Sequence, residues 1–259
     1  MKAECFFITD KVNKTSPLYT NLQNETNHYG DMKYQNVASG VQFGMRLLFQ
    51  LVYTSLHYEF DYLLRIDDDY FFCLKRYIAE LSLPPLGPFI VGWVHCIKHI
   101  VRPDEGFLLF SRDIVHMFVT QNENEIMCTA YGGQNVGIWL MDLNLEGALY
   151  HDRFLHHTPT VQEKPSIKLT KNVCDKFTGI HGAYPGDMEI LWENRGSDND
   201  IRNVNGTLLS HCSSCSHKYV MNWRVFGGKY KRIPKRCIEN PIYKGSHLGR
   251  KQKNYKRNY

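Results

Sequence analysis

The chain has 259 residues, of which 43% are apolar and 13% aromatic, so it can bury one sizeable core. The net charge of +5 arises at its end, because residues 224–259 hold 12 of the 31 basic residues and one of the 26 acidic residues. No run approaches the ~18 apolar residues of a transmembrane helix, and residues 1–10 lack the pattern of a signal peptide. These features predict one main domain, residues 1–223, and a basic extension, residues 224–259, that is disordered from about residue 244.

Apolar periodicity predicts helices and strands in alternation. Strands are expected over residues 3–8, 62–66, 89–93 and 106–110, helices over residues 37–56, 74–81 and 111–120, and a polar loop over residues 9–31. Pro84 and Pro85 end the second helix, and Ser111 has the hydroxyl needed to cap the third. Strands separated by helices are typical of an α/β fold with a mostly parallel central sheet flanked by helices.

Cysteines and glycosylation sequons indicate the compartment. Eight cysteines are many for a cytosolic protein, and Asn-x-Ser/Thr sequons begin at Asn13, Asn24 and Asn205. Both features favour the lumen of the secretory pathway. Tyrosines are interleaved with the basic residues of the extension, a pattern that can bind nucleic acid. In a lumen, however, anionic glycans or phospholipid head groups are more suitable partners for the basic extension, and no nucleic-acid partner is expected.

The segment 211–217 contains the pair Cys212 and Cys215 with a histidine on each side. Thiolate and imidazole groups at this spacing can bind zinc. An oxidising lumen favours a disulfide instead, either within the pair or to Cys174 or Cys237.

Three carboxylates, Asp67, Asp68 and Asp69, directly follow the predicted strand 62–66 and precede the aromatic run 70–72. Such a cluster is electrostatically unfavourable unless a cation neutralises it, and hard oxygen ligands suit Mn²⁺ or Mg²⁺ bridging to phosphates. Open α/β sheets bind nucleotides at the carboxyl ends of their strands. The pattern favours a metal-diphosphate site, and the alternative is a solvated acidic turn.

The segment 64–71 resembles the aspartate motif of the β-1,3-glycosyltransferases, the galactosyltransferase and fringe-like family with a GT-A fold. Other segments resemble that family in the same order, namely residues 25–32, 42–47, 106–113, 136–140 and 180–192. The resemblance implies a GT-A fold that lacks the family's first strand. It also implies the Golgi lumen as location, with a membrane anchor upstream of this chain.

The resemblance further implies inverting transfer of galactose or N-acetylhexosamine from a UDP-sugar to a glycan hydroxyl in β-1,3 linkage. The acceptor would be a glycan, a glycoprotein or a glycolipid. Asp67, Asp69 and His181 would hold Mn²⁺ or Mg²⁺, and the cation would stabilise the leaving UDP. Arg65, Asp67 and Asp68 would bind the nucleotide sugar.

One segment departs from the family. Where the family has Glu-Asp before its Val-x-x-Gly, with the Asp as the proposed base, this chain has Gly132 and Gly133. Glycine cannot accept a proton, and an inverting displacement needs a base within reach of the attacking hydroxyl. Asp104 and Glu105 are candidates by position. The alternative is a catalytically silent lumenal protein that binds nucleotide sugar, glycan or a partner enzyme.

Overall fold

A computed structural model of the chain describes residues 3–37, 42–97, 100–196, 208–211, 215 and 233–243. The strands in these residues are β1 (Phe7–Asp10), β2 (Met32–Gln35), β3 (Tyr62–Ile66), β4 (Tyr70–Phe72), β5 (Ile90–Ile97), β6 (Ile100–Ser111), β7 (Met127–Cys128), β8 (Leu149–Asp152), β9 (Leu155–His156), β10 (Gly179–His181), β11 (Leu208–Ser210) and β12 (Lys235–Arg236). The α-helices are α1 (Leu18–Tyr29), α2 (Phe43–His57), α3 (Leu74–Glu80), α4 (Arg112–Val119), α5 (Gly132–Asp142), α6 (Val173–Lys176) and α7 (Pro185–Glu193).

The largest described sheet has five strands in the order β11-β8-β5-β6-β3. Only the pair β5 and β8 is parallel, while the other three neighbouring pairs are antiparallel. The mixed α/β class is confirmed, but the prediction of a mostly parallel sheet was wrong. One reason is that only two residues separate β5 from β6, far fewer than the crossover of a parallel pair requires.

Both faces of this sheet are covered, because side chains alternate along its strands. Leu108 and Phe110 of β6 belong to a core with residues of α2, α4 and α5, in which Trp139 is fully buried. Phe107 and Leu109 belong to a second core on the opposite face, with residues of β4 and α3. The sheet therefore lies between helices on one face and the β4–α3 segment on the other.

The helices expected from periodicity are present as α2, α3 and α4, and residues 38–41 of the first prediction lie outside the described residues. The predicted loop 9–31 was wrong, since it contains α1. No residue of α1 is buried, so the helix has no apolar face that periodicity could detect. Gly30 ends it with φ of 72°, a left-handed conformation that glycine adopts without strain.

Ser111 stands at the start of α4 as predicted, in extended conformation, but its hydroxyl makes no capping bond to the helix. It accepts a hydrogen bond of 3.0 Å from the backbone N–H of Phe89 instead. The hydroxyl thus joins the beginning of α4 to the entry of β5.

A smaller sheet, in the order β4-β10-β9, stands beside the second core. β10 is antiparallel to β4 and parallel to β9. Phe71 and Ile180 of this sheet lie in a third core with Val161, Val173 and Leu191. This arrangement fixes β10 against the segment that follows the acidic triplet.

Part of the predicted basic extension packs against the rest of the chain. β12 pairs with β7, a disulfide joins Cys237 to Cys128, and the Tyr243 hydroxyl donates a hydrogen bond of 2.8 Å to the Cys128 carbonyl. The predicted boundary at residue 224 and the predicted disorder from residue 244 lie outside the described residues. None of the helices in the described part of the chain is long and apolar enough to cross a bilayer.

Candidate functional site

The acidic triplet lies in a turn between β3 and β4. The Asp67 N–H donates to the Gly106 carbonyl at 2.9 Å, which extends the pairing of β3 with β6 by one residue. The Tyr70 N–H then donates to the Asp67 carbonyl at 3.2 Å and closes the turn. Asp67 and Asp69 are partly exposed, and Asp68 is exposed. The carboxylates are therefore presented at the carboxyl end of an edge strand.

The register of the small sheet places His181 opposite Tyr70. As a result, His181 Nε2 lies 3.5 Å from Asp69 Oδ2, although the two residues are far apart in sequence. The Ala183 N–H also donates to the Asp69 carbonyl at 2.8 Å. Ligand atoms that share one octahedral cation at ~2.1 Å stand about 3 Å apart, so Asp69 and His181 fit adjacent positions on a divalent ion after a small adjustment.

Asp67, the third predicted ligand, is turned toward an arginine. Arg65 Nη2 lies 2.6 Å from Asp67 Oδ1, and Arg65 Nη1 donates a hydrogen bond to the Glu105 carbonyl. The structure thus joins Arg65 and Asp67, two of the predicted nucleotide-sugar residues. It brings together Asp69 and His181 of the predicted cation site and leaves Asp67 occupied by the guanidinium.

Crowding of like charge is visible at Asp69. Burial raises the pKa of the Asp69 carboxyl, His181 lowers it, and the charges of Asp67 and Asp68 raise it further. A divalent cation would relieve this repulsion more effectively than one histidine side chain. The three carboxylates thus repel one another in the folded protein.

The side chain of Glu105, a residue of β6, contacts the N-terminus of α5. Its Oε2 accepts a hydrogen bond from the Gly132 N–H, the first residue of that helix. A side chain at position 133 would collide with the Pro103 carbonyl, so close contact between β6 and α5 requires glycine there. The helix has glycines at its first two positions, but a carboxylate from β6 lies at its N-terminus.

Burial raises the pKa of Glu105 to about 7, and the charges of Arg65 and Arg102 oppose this rise. Asp104 behaves differently. Burial alone would raise its pKa, but the hydrogen bond with His95 and the charges of His157 and His95 outweigh burial, so the pKa lies well below its usual range. The two candidate bases are thus in opposite electrostatic environments.

A group of histidines next to the triplet was missed by sequence reasoning. His95 Nε2 lies 2.9 Å from Asp104 Oδ2, and His157 Nε2 lies 3.4 Å from the same oxygen. The His157 and His181 rings stack with centroids 4.6 Å apart, so the group adjoins the Asp69 site. Nothing in the sequence links these residues, because they come from separate strands and loops.

The cysteines pair differently from the prediction. The disulfides between described residues are Cys73–Cys174, Cys96–Cys215 and Cys128–Cys237. Cys215 is therefore bonded to neither of the predicted distant partners, and a zinc site that uses its thiolate is excluded. Cys212 lies outside the described residues. Pairing depends on which strands meet, and cysteine spacing alone does not carry that information.

Comparison with models of known protein families finds no match, and comparison with curated proteins finds none either. The fold and the site define a disulfide-bonded protein of mixed α/β structure, with an acidic turn and a histidine group at one end of its larger sheet.

Proposed function

We propose that the chain is a cation-dependent glycosyltransferase, which moves galactose or an N-acetylhexosamine from a UDP-sugar to a glycan hydroxyl with inversion and in β-1,3 linkage. One observation carries the proposal: His181 Nε2 lies 3.5 Å from Asp69 Oδ2. The family that the sequence resembles pairs its acidic motif with a late histidine, and the pairing of β4 with β10 produces that neighbourhood here.

Asp69 and His181 would hold Mn²⁺ or Mg²⁺, with Asp67 joining them once it is released from Arg65. The cation would neutralise the charge that develops on the leaving UDP. Arg65 is well placed for a second role, because a guanidinium freed from Asp67 can bind phosphate oxygens in a bidentate manner. Asp68 is exposed at the rim of the turn, where it can bind a ribose or sugar hydroxyl.

Glu105 is the better candidate for the general base. Its carboxylate lies at the N-terminus of α5, the helix whose first residues supply acids in the resembling family. Asp104, in contrast, is already engaged by His95, His157 and the Gly106 N–H. In the proposed step, Glu105 takes the proton of the acceptor hydroxyl. The acceptor oxygen forms a bond to the anomeric carbon of the donor sugar as the bond between that carbon and UDP breaks.

The setting proposed for this reaction is the Golgi lumen, with a membrane anchor upstream of the chain. Three disulfides support an oxidising compartment, since they are rare in proteins that remain in the cytosol. The acceptor would be a glycan, a glycoprotein or a glycolipid.

A catalytically silent protein that binds nucleotide sugar is the second candidate. It is favoured by the glycines at the N-terminus of α5, where no side chain of the helix itself can act as a base. Restoring an acid at position 133 does not test this candidate, because the Pro103 carbonyl occupies the space that its side chain needs. Glu105 is therefore the residue on which the two candidates differ.

The test combines UDP binding with turnover. The purified protein is given Mn²⁺ and a panel of UDP-sugars and acceptors, and UDP release and UDP affinity are measured. Glu105→Gln should lower turnover by the ~10²–10⁴-fold typical of a lost general base, with UDP affinity nearly unchanged. Glu123→Gln, in an exposed turn, is the matched control and should behave like wild type.

UDP binding without transfer to any acceptor would support the silent protein and refute the enzyme. Full transfer by Glu105→Gln would refute Glu105 as the base. A wild-type protein that binds no UDP in the presence of Mn²⁺ would refute both candidates.

A further inference from the structure

His95, Asp104 and His157 form a compact cluster near the acidic triplet. Each offers one atom able to bind a metal, and these three atoms lie within 4.8 Å of one another. Among the described residues, no other three metal-binding side chains are grouped so closely. They come from β5, β6 and the residue after β9, so the fold assembles them from separate parts of the chain.

We propose that this cluster is a second metal site, distinct from the cation site at Asp69 and His181, and that it binds Zn²⁺. The inference does not rest on the proposed sugar transfer, because it uses a different set of side chains and a different ion.

The donor set decides the ion. Two imidazole nitrogens and one carboxylate oxygen are the protein ligands of many zinc sites, where water takes the fourth position. The same set also suits Fe²⁺. Three disulfides favour Zn²⁺, since an oxidising environment does not maintain ferrous iron and zinc undergoes no redox change.

The two distances to Asp104 suit a tetrahedral ion. Zinc ligands at ~2.0–2.2 Å from the metal place their own atoms ~3.3–3.5 Å apart. Asp104 Oδ2 and His157 Nε2 are already 3.4 Å apart. Asp104 Oδ2 and His95 Nε2 are 2.9 Å apart, joined by a hydrogen bond. A bound ion would replace that bond and separate the two atoms by roughly half an ångström more.

Two ligands are oriented by groups that would not bind the ion themselves. The Tyr70 hydroxyl lies 2.9 Å from His157 Nδ1 and holds the ring with Nε2 toward Asp104. The Gly106 N–H donates to Asp104 Oδ1 at 2.8 Å, which leaves Oδ2 for the ion. Metal-binding histidines commonly have such an outer partner on their second ring nitrogen.

The cluster is also accessible to an ion. The side chains of His95 and Asp104 are 22% and 17% exposed, so an ion can enter and a water molecule can complete its coordination. The centroid of the Trp93 ring lies 5.7 Å from that of His157.

Chelator-treated protein, titrated with Zn²⁺ by calorimetry and with Co²⁺ by visible absorption, tests the site. We expect wild type to bind one ion at this cluster and to give the intense Co²⁺ spectrum of a four- or five-coordinate ion. His95→Ala should lower Zn²⁺ affinity by more than the ~10–100-fold typical of losing an outer partner. His116→Ala, which removes an exposed histidine of α4, is the matched control and should leave affinity unchanged.

Two further variants separate the two sites and guard against misfolding. Tyr70→Phe keeps all three ligands and should weaken Zn²⁺ binding about 10-fold, through loss of the bond to His157. Asp69→Asn should leave Zn²⁺ affinity intact, whatever happens to UDP binding. A wild type that binds no Zn²⁺, or a folded His95→Ala that binds it as tightly as wild type, would overturn the proposal. Loss of Zn²⁺ in Asp69→Asn alone would also overturn it and assign the ion to Asp69 and His181.

Discussion

Two groups of carboxylates lie near opposite ends of the short strand β4, and they have different partners. Glu80 and Asp152 are buried among donors: Arg76 Nε lies 3.0 Å from Glu80 Oε1, and the Thr178 hydroxyl donates to Asp152 Oδ2 at 2.7 Å. The triplet that contains Asp69 is partly exposed, and His181 Nε2 lies 3.5 Å from Asp69 Oδ2.

The difference separates structural carboxylates from available ones. Where the fold surrounds carboxyls with buried donors, the acids hold elements of the fold together. Where carboxylates are accessible and repel one another, a ligand that brings positive charge is stabilised. Acidic residues of the same type thus have different roles, according to the donors that the fold places around them.

The largest effect is expected from breaking the buried group at Arg76. Arg76→Met should lower the free energy of unfolding by ~3–5 kcal/mol, because it removes the guanidinium that offsets the charge of two buried carboxyls, Glu80 and Asp152. Urea denaturation followed by circular dichroism measures this. Arg153→Met is a suitable control, since both guanidiniums contact the Phe154 ring but Arg153 is exposed, and it should cost no more than about 1 kcal/mol. Equal effects of the two variants would contradict the structural role of Arg76.

The next largest effect is expected on UDP binding, from a substitution in the acidic triplet. Asp69→Asn should weaken Mn²⁺-dependent UDP binding by about 100-fold or more, since a cation worth several kcal/mol loses a ligand. Stability should not fall, because the substitution relieves repulsion and removes no core packing. Calorimetric titration with UDP, with and without Mn²⁺, measures the change. Asp61→Asn, on an exposed aspartate just before β3, should bind UDP as wild type does. An unchanged Mn²⁺-dependent affinity of Asp69→Asn for UDP would refute the proposed cation site.

A smaller effect should appear in the pH dependence of stability. Burial raises the pKa of Glu80 from 4.5 to about 8, with Asp152 adding to the rise and Arg76 opposing it. One guanidinium cannot neutralise two buried carboxyls, so the group retains a proton. The folded protein then binds more protons than the unfolded chain between these two pH values. Its contribution to stability is full below pH 4.5 and is lost as pH rises through about 8.

Wild type should therefore lose stability relative to Glu80→Gln as pH rises from about 5 to about 8, by at least the ~1.4 kcal/mol that one pKa unit represents. Chemical denaturation of both proteins across this range measures the difference. A constant difference would show that Glu80 is ionised throughout.

The smallest effect should come from Thr178→Val. The substitution removes one of the donors to Asp152 and leaves the others, so it should cost ~1–2 kcal/mol. Thr120→Val, on an exposed threonine whose hydroxyl bonds to its own helix, should change stability by no more than about 0.5 kcal/mol. Thermal unfolding of both variants measures the difference. Equal changes in the midpoint temperature would mean that the hydrogen bond from Thr178 to Asp152 adds nothing specific to stability.

Local sequence determined the elements whose signals are local. The strand before the triplet is β3 at the residues predicted, and α3 agrees to within one residue, because apolar periodicity and Pro84 are encoded in a short window. The position of the acidic triplet directly after β3 has the same local origin. α1 was not predicted, since a helix without a buried face leaves no periodic pattern.

Tertiary structure alone decided the strand directions, the disulfides and the assembly of the site. The direction of β6 depends on its antiparallel pairing with β5, and the partner of Cys215 depends on which strands meet. His95 and His157 reach Asp104 only because β5, β6 and β9 converge. Each of these features joins residues that are distant in the chain, and their contact energies depend on the whole packed fold. Short-range patterns in the amino-acid sequence therefore contain the residues of the candidate site but not their geometry.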